Sequence, residues 1–144
     1  MRHFSASIFL YGNKNERFLY IRICMYKYTL KMKFTLTKKD IIDLNQEFDK
    51  GSLHNESSLD FALSYAKKTE NWTKALAFLV RAILIDHVFE EGNKRTAALL
   101  IKSYAEYEGH HTYDDKVTKL IKEMLLKNIS NIIKIEDMIK DAIK

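Results

Sequence analysis

The chain has 144 residues, one cysteine (Cys24), no proline and a formal charge of +5. That length supports one domain with a real hydrophobic core, while a lone cysteine excludes an internal disulfide framework or a metal site built on several cysteines, a usage that suits the cytoplasm. The longest apolar stretch, residues 75–85, is interrupted by Arg81 and is too short to span a bilayer, and the start lacks the pattern of a signal peptide, so no membrane partner is expected.

The first part of the chain differs from the rest. Residues 1–31 hold Arg2, Lys14, Arg17, Arg22, Lys27 and Lys31 against Glu16 alone, so they carry the whole net charge and residues 32–144 are neutral overall. A neutral body lacks the clustered cations that bind phosphate backbones, so nucleic acid is not an expected partner. The head is rich in aromatics, and residues 26–36 alternate apolar Tyr26, Tyr28, Leu30, Met32, Phe34 and Leu36 with Lys and Thr, a period of two that predicts a strand. Gly12-Asn13-Lys14-Asn15 is a turn signal between 8–11 and 18–23, which predicts a β-hairpin. Two readings of this basic, aromatic extension over 1–33 compete: a β extension of the body, or an over-early start with Met32 as the natural beginning. Alternation across Met32 favours the first, and the change of composition favours the second.

Residues 34–144 are expected to form one all-α body. Thr37 reads as an N-cap with Asp40 at the third helical position, and Leu36 and Ile41 as its hydrophobic staple. Ile41, Ile42, Leu44 and Phe48 give that helix its apolar face, and Gly51 is expected to end it. A second helix is predicted from near Ser58, with Leu59, Phe61, Ala62, Leu63 and Tyr65. The third, 73–88, is apolar nearly all round and belongs at the centre of a bundle, where Arg81 should pair with Asp86 or Asp60. The remaining helices are expected over 93–108, stopped by Gly109; from Thr112 or Asp114, with Val117, Leu120, Ile121, Met124 and Leu125; and over 135–143. Trp72 is expected to pack at a helix start, and His110 and His111 to be surface residues without a metal.

The chemistry concentrates between the third and fourth helices. His87 at the end of a buried helix suits a general base. Glu91 can hold Mg²⁺, which prefers one or two carboxylates plus substrate phosphates. Gly92 permits close backbone approach to a ligand. The N–H groups of Gly92, Asn93 and Lys94 at a helix start form an anion site. Arg95 adds a planar fork for phosphate, and the body has only one other arginine, Arg81. Base, metal carboxylate, anion cradle and cationic clamp are the parts that phosphoryl or nucleotidyl transfer requires.

The run His87-Val88-Phe89-Glu90-Glu91-Gly92-Asn93-Lys94-Arg95 resembles the signature of the Fic/Doc family, His-x-Phe-x-Asp/Glu-Gly-Asn-Gly-Arg. The resemblance covers about 34–125: 36–48 is similar to the opening helix of the Doc branch, 51–63 to the segment after it, and 105–109 to the turn after the motif helix. It implies a Fic-type helical bundle and an ATP- and Mg²⁺-dependent transferase that adds AMP or phosphate to a hydroxyl of a target protein, such as the toxin of a toxin–antitoxin pair. His87 would deprotonate that hydroxyl, Phe89 would anchor the loop, Glu91 would hold the metal, Gly92 and Asn93 would line the anion hole, and Arg95 would bind phosphate. Lys94 departs from the usual second glycine and resembles the Doc branch, whose toxin member is a kinase, while most Fic members transfer AMP. Gly92, however, keeps the glycine that the toxin replaces with alanine. The family's inhibitory pattern, Ser/Thr-x-x-x-Glu-Gly/Asn, is not met: Ala66, His87 and Tyr104 stand four residues before Glu70, Glu91 and Glu108. Inhibition is therefore expected in trans, by a small antitoxin-like protein. The alternative from another class is a catalytically inactive helical binding or nucleotide-sensing module.

Overall fold

A computed structural model describes residues 36–144. The expected hairpin, the boundary at 33/34 and all of the predicted strand before Leu36 lie outside them. The described residues form six helices: α1 Lys38–Asn45, α2 Glu56–Lys68, α3 Trp72–Leu84, α4 Asn93–Tyr107, α5 Asp114–Lys127 and α6 Ile132–Asp141. No named strand occurs among them, and none of their helices is long and apolar enough to cross a membrane. The all-α expectation therefore holds for the described body.

Local chemistry sets most helix starts. Thr37 caps α1 in a reciprocal box: its hydroxyl accepts from Asp40 N, and the Asp40 carboxylate accepts from Thr37 N at 2.8 Å. Leu36 and Ile41 flank this start and are both buried. Asn55, Asn71 and Asn131 cap α2, α3 and α6 through their side-chain oxygens. These asparagines place α2 and α6 earlier than the predicted starts at Ser58 and Ile135, because a capping oxygen captures N–H groups before the apolar periodicity begins.

The centre of the bundle is α3, which packs against α2, α4, α5 and α6. Leu76, Ala77, Val80 and Ile83 are fully buried along it, as its all-round apolar sequence requires. Its N-terminal turn is tied to α6 by Glu136, which accepts from the Thr73 hydroxyl at 2.6 Å and from Asn71 Nδ2 at 3.0 Å. Trp72 stacks on Tyr104 and on His110, with ring centroids 6.0 and 5.5 Å apart.

Three expectations are corrected. Helix α1 ends at Asn45 rather than near Gly51; residues 46–49 continue as turns closed by Phe48 N and Asp49 N on the Asn45 carbonyl, which leaves Phe48 36% exposed. Helix α3 ends at Leu84 rather than Val88, because residues beyond it are drawn into tertiary pairing with 52–55. Arg81 forms no ion pair among the described residues: Asp60 pairs with Lys38, and the Asp86 carboxylate accepts from the Ser58 hydroxyl.

Candidate functional site

The site is built on the loop from α3 to α4. After Ile85 N closes onto the Arg81 carbonyl, the chain leaves the helix and is held from the side by the segment before α2. Asn55 Nδ2 donates to the Asp86 carbonyl at 3.0 Å, and His54 N and Asn55 N donate to the Val88 carbonyl at 2.7 and 3.1 Å. Leu53 pairs with Phe89 in an antiparallel bridge, and Glu90 N donates to the Ser52 carbonyl at 3.0 Å. Val88 and Phe89 are buried beneath this bracing.

His87 therefore sits in a loop, not at the end of a buried helix as expected. Its backbone is left-handed, with φ 52°, a conformation that histidine adopts more readily than most residues. Its neighbours on both sides are pinned, so the exposed imidazole is aimed by the backbone. It makes no hydrogen bond or ion pair among the described residues.

The loop closes on itself before α4. Asn93 Nδ2 donates to the Phe89 carbonyl at 2.8 Å, and Asn93 Oδ1 accepts from Phe89 N at 3.0 Å. The Asn93 side chain is thus committed to the loop, and only its backbone N–H is left for a ligand. Gly92 is the N-cap of α4, in the left-handed region with φ 78°, and no side chain caps this helix. The N–H groups of Gly92, Asn93, Lys94 and Arg95 have no acceptor among the described residues. They stand at the positive end of a helix of 15 residues, an arrangement that can take an anion.

These elements enclose a cavity of about 540 Å³, lined by His87, Glu91, Gly92, Asn93, Lys94 and Arg95 together with Phe48, Asp49, Leu84, Glu90 and Leu125. All six residues singled out from the sequence meet there. The side chains of Glu91, Lys94 and Arg95 have no ion pair or hydrogen bond among the described residues, and they share the cavity wall with the carboxylates of Asp49 and Glu90. No group of three or more metal-ligating side chains gathers among the described residues. Glu91, with Asp49 and Glu90 also on the wall, fits a cation held chiefly by a ligand's phosphates, as Mg²⁺ is, and not one caged by protein.

No family model, curated protein or solved structure matches the chain.

Sequence reasoning missed the residues that hold the site. Asn45, fully buried in the last turn of α1, donates through Nδ2 to the Glu91 carbonyl at 2.8 Å and to Thr96 Oγ1 at 3.1 Å, and accepts from Gly51 N at 2.8 Å. Thr96, also fully buried, donates to the Gly92 carbonyl at 2.7 Å. The one signal in the sequence was an asparagine directly beside the apolar Ile41-Leu44 face, where an unpaired amide would be costly. Phe48, Asp49 and Leu125 reach the wall from other elements and carry no local signal at all.

Proposed function

We propose that this chain is an ATP-dependent protein-modifying transferase that adds AMP or phosphate to a Ser, Thr or Tyr hydroxyl of a target protein. The observation that supports it best is the meeting, around one cavity, of an imidazole and an arginine without partners among the described residues and a helix N-terminus with no side-chain cap. The free N–H groups at the start of α4 would take a phosphate group of the nucleotide, with Arg95 as a second, planar donor. His87 would accept the proton of the target hydroxyl as its oxygen bonds to phosphorus. Pyrophosphate leaves if the α-phosphorus is attacked, and ADP leaves if the γ-phosphorus is attacked. Glu91 would hold Mg²⁺, which neutralises charge on the phosphate oxygens when bound. Lys94 lines the same wall, and its bulk and charge bear on which phosphorus faces the hydroxyl.

The resemblance to the Fic/Doc family adds a toxin's role and restraint by a small antitoxin acting in trans, and the single cysteine suits a cytoplasmic enzyme. Incubation of the protein and a cell lysate with α- or γ-labelled ATP tests the chemistry. Transfer of α-label marks AMP, and transfer of γ-label alone marks phosphate. His87→Ala should lower transfer at least a hundredfold while ATP binding is kept. An active His87→Ala variant would remove the base. ATP binding by the wild type without transfer of either label would favour a nucleotide-sensing module.

A further inference from the structure

The cavity has two walls that come from different parts of the chain. One is the His87 loop, held by residues 52–55 through Val88, Phe89 and Glu90. The other is the turn at Glu91–Gly92 and the start of α4. Asn93 ties them directly through its two bonds to Phe89, and a second amide, fully buried, ties them through the bracing segment. Asn45 Oδ1 accepts from Gly51 N, where the bracing segment begins, and Asn45 Nδ2 donates to the Glu91 carbonyl and to Thr96 Oγ1. Thr96 passes the connection to the Gly92 carbonyl through its hydroxyl at 2.7 Å and its N–H at 2.9 Å. Gly92 itself lies close against this joint: a Cβ there would stand 3.0 Å from Asn45 Nδ2.

We infer that Asn45, acting with Thr96, is a positioning residue that fixes the phosphate-binding turn against the His87 loop. It lines no part of the cavity and is fully buried, so it touches neither nucleotide nor target hydroxyl. Its partners are not a random sample of the core. Both Nδ2 contacts end at the anion turn, and the Oδ1 contact ends at the segment that braces the loop. Without the Asn45 amide, the walls would keep the Asn93–Phe89 bonds but lose their tie through the bracing segment, which loosens their register. The inference rests on the transferase reading for its catalytic meaning, and on geometry alone for its structural meaning.

The consequences separate by variant. Asn45→Asp keeps the acceptor for Gly51 N but has no proton for the Glu91 carbonyl. Thr96→Val keeps the branched shape and loses the hydroxyl, and Thr96→Ser restores the hydroxyl. The N–H groups that take phosphate move together with their turn, so the ATP concentration for half-maximal transfer should change less than about threefold. Alignment with His87 is what suffers, and the transfer rate at saturating ATP should fall about tenfold or more in Asn45→Asp and Thr96→Val. Thr96→Ser should recover most of it.

Amide hydrogen exchange, followed by NMR on the full chain, decides the structural part without reference to activity. In Asn45→Asp and Thr96→Val, the Thr96 amide should lose protection at least tenfold, while Val80 and Ile83 in α3 stay as in the wild type. The Gly51 amide should remain protected in Asn45→Asp and lose protection in Asn45→Ala. Unchanged exchange at Thr96 would overturn the inference, as would equal acceleration throughout α3, which marks a general loss of stability. If the wild type transfers no label, the transferase reading falls while the exchange pattern still decides whether Asn45 holds the turn.

Discussion

At Gly92 the absence of a side chain serves two needs. The left-handed backbone, φ 78°, turns the chain into α4, and the missing Cβ leaves room for the Asn45 amide. Gly92→Ala should cost about 1–2 kcal/mol from the backbone alone, read as a lower urea midpoint. An unchanged midpoint would mean that the turn adapts without strain. His87, in the same loop, shows the reverse case: a non-glycine residue in the left-handed region, held there by pinned neighbours. Asn93 was legible in the sequence as a residue of the cavity wall, but not its use of both amide atoms on Phe89. That use depends on the loop's curvature, which no spacing rule contains.

Among the helices, starts were more legible than ends. Thr37 and Asp40 satisfy each other within one turn, so the box can be read from four consecutive residues. Thr37→Ala removes one half of it and should cost about 1 kcal/mol, measured by chemical denaturation. A loss close to zero would show that the side chain of Asp40 alone is sufficient to hold the start of α1. The ends of α1 and α3 were overestimated because both are set by distant partners. Asn45 turns toward Gly51 and Glu91, and the residues after Leu84 bond to 52–55. Apolar residues such as Phe48, Val88 and Phe89 extend the helical pattern past these points, but Phe48 faces the cavity, and Val88 and Phe89 are buried from a loop.

On the scale of the whole molecule, α3 organises the bundle and Glu136 ties its first turn to α6. The Thr73 hydroxyl, followed by Lys140 and Asn71, holds the Glu136 carboxyl below the usual carboxylate range against the opposing effect of burial. A depressed folded-state pKa means that the unfolded chain binds the proton more readily. The stabilisation is thus present above the ordinary glutamate pKa and is lost as pH falls through the lower, folded value. Glu136→Gln should lower Tm at neutral pH, and the gap to wild type should narrow on acidification from about pH 5 to pH 3. A gap that is constant with pH would show that the charge contributes nothing at this joint.

The sequence by itself determined the helical class, the central place of α3, the cap of α1 and the six residues from His87 to Arg95 that meet at the cavity. Each depends on local periodicity or on side chains within a few positions of one another. Only the tertiary structure decided where α1 and α3 stop, that His87 stands in a loop, and that the buried Asn45 ties the turn at Glu91 to the segment bracing the His87 loop. Those features depend on hydrogen bonds between residues dozens of positions apart, and a buried polar group takes whichever partner the packed chain brings to it.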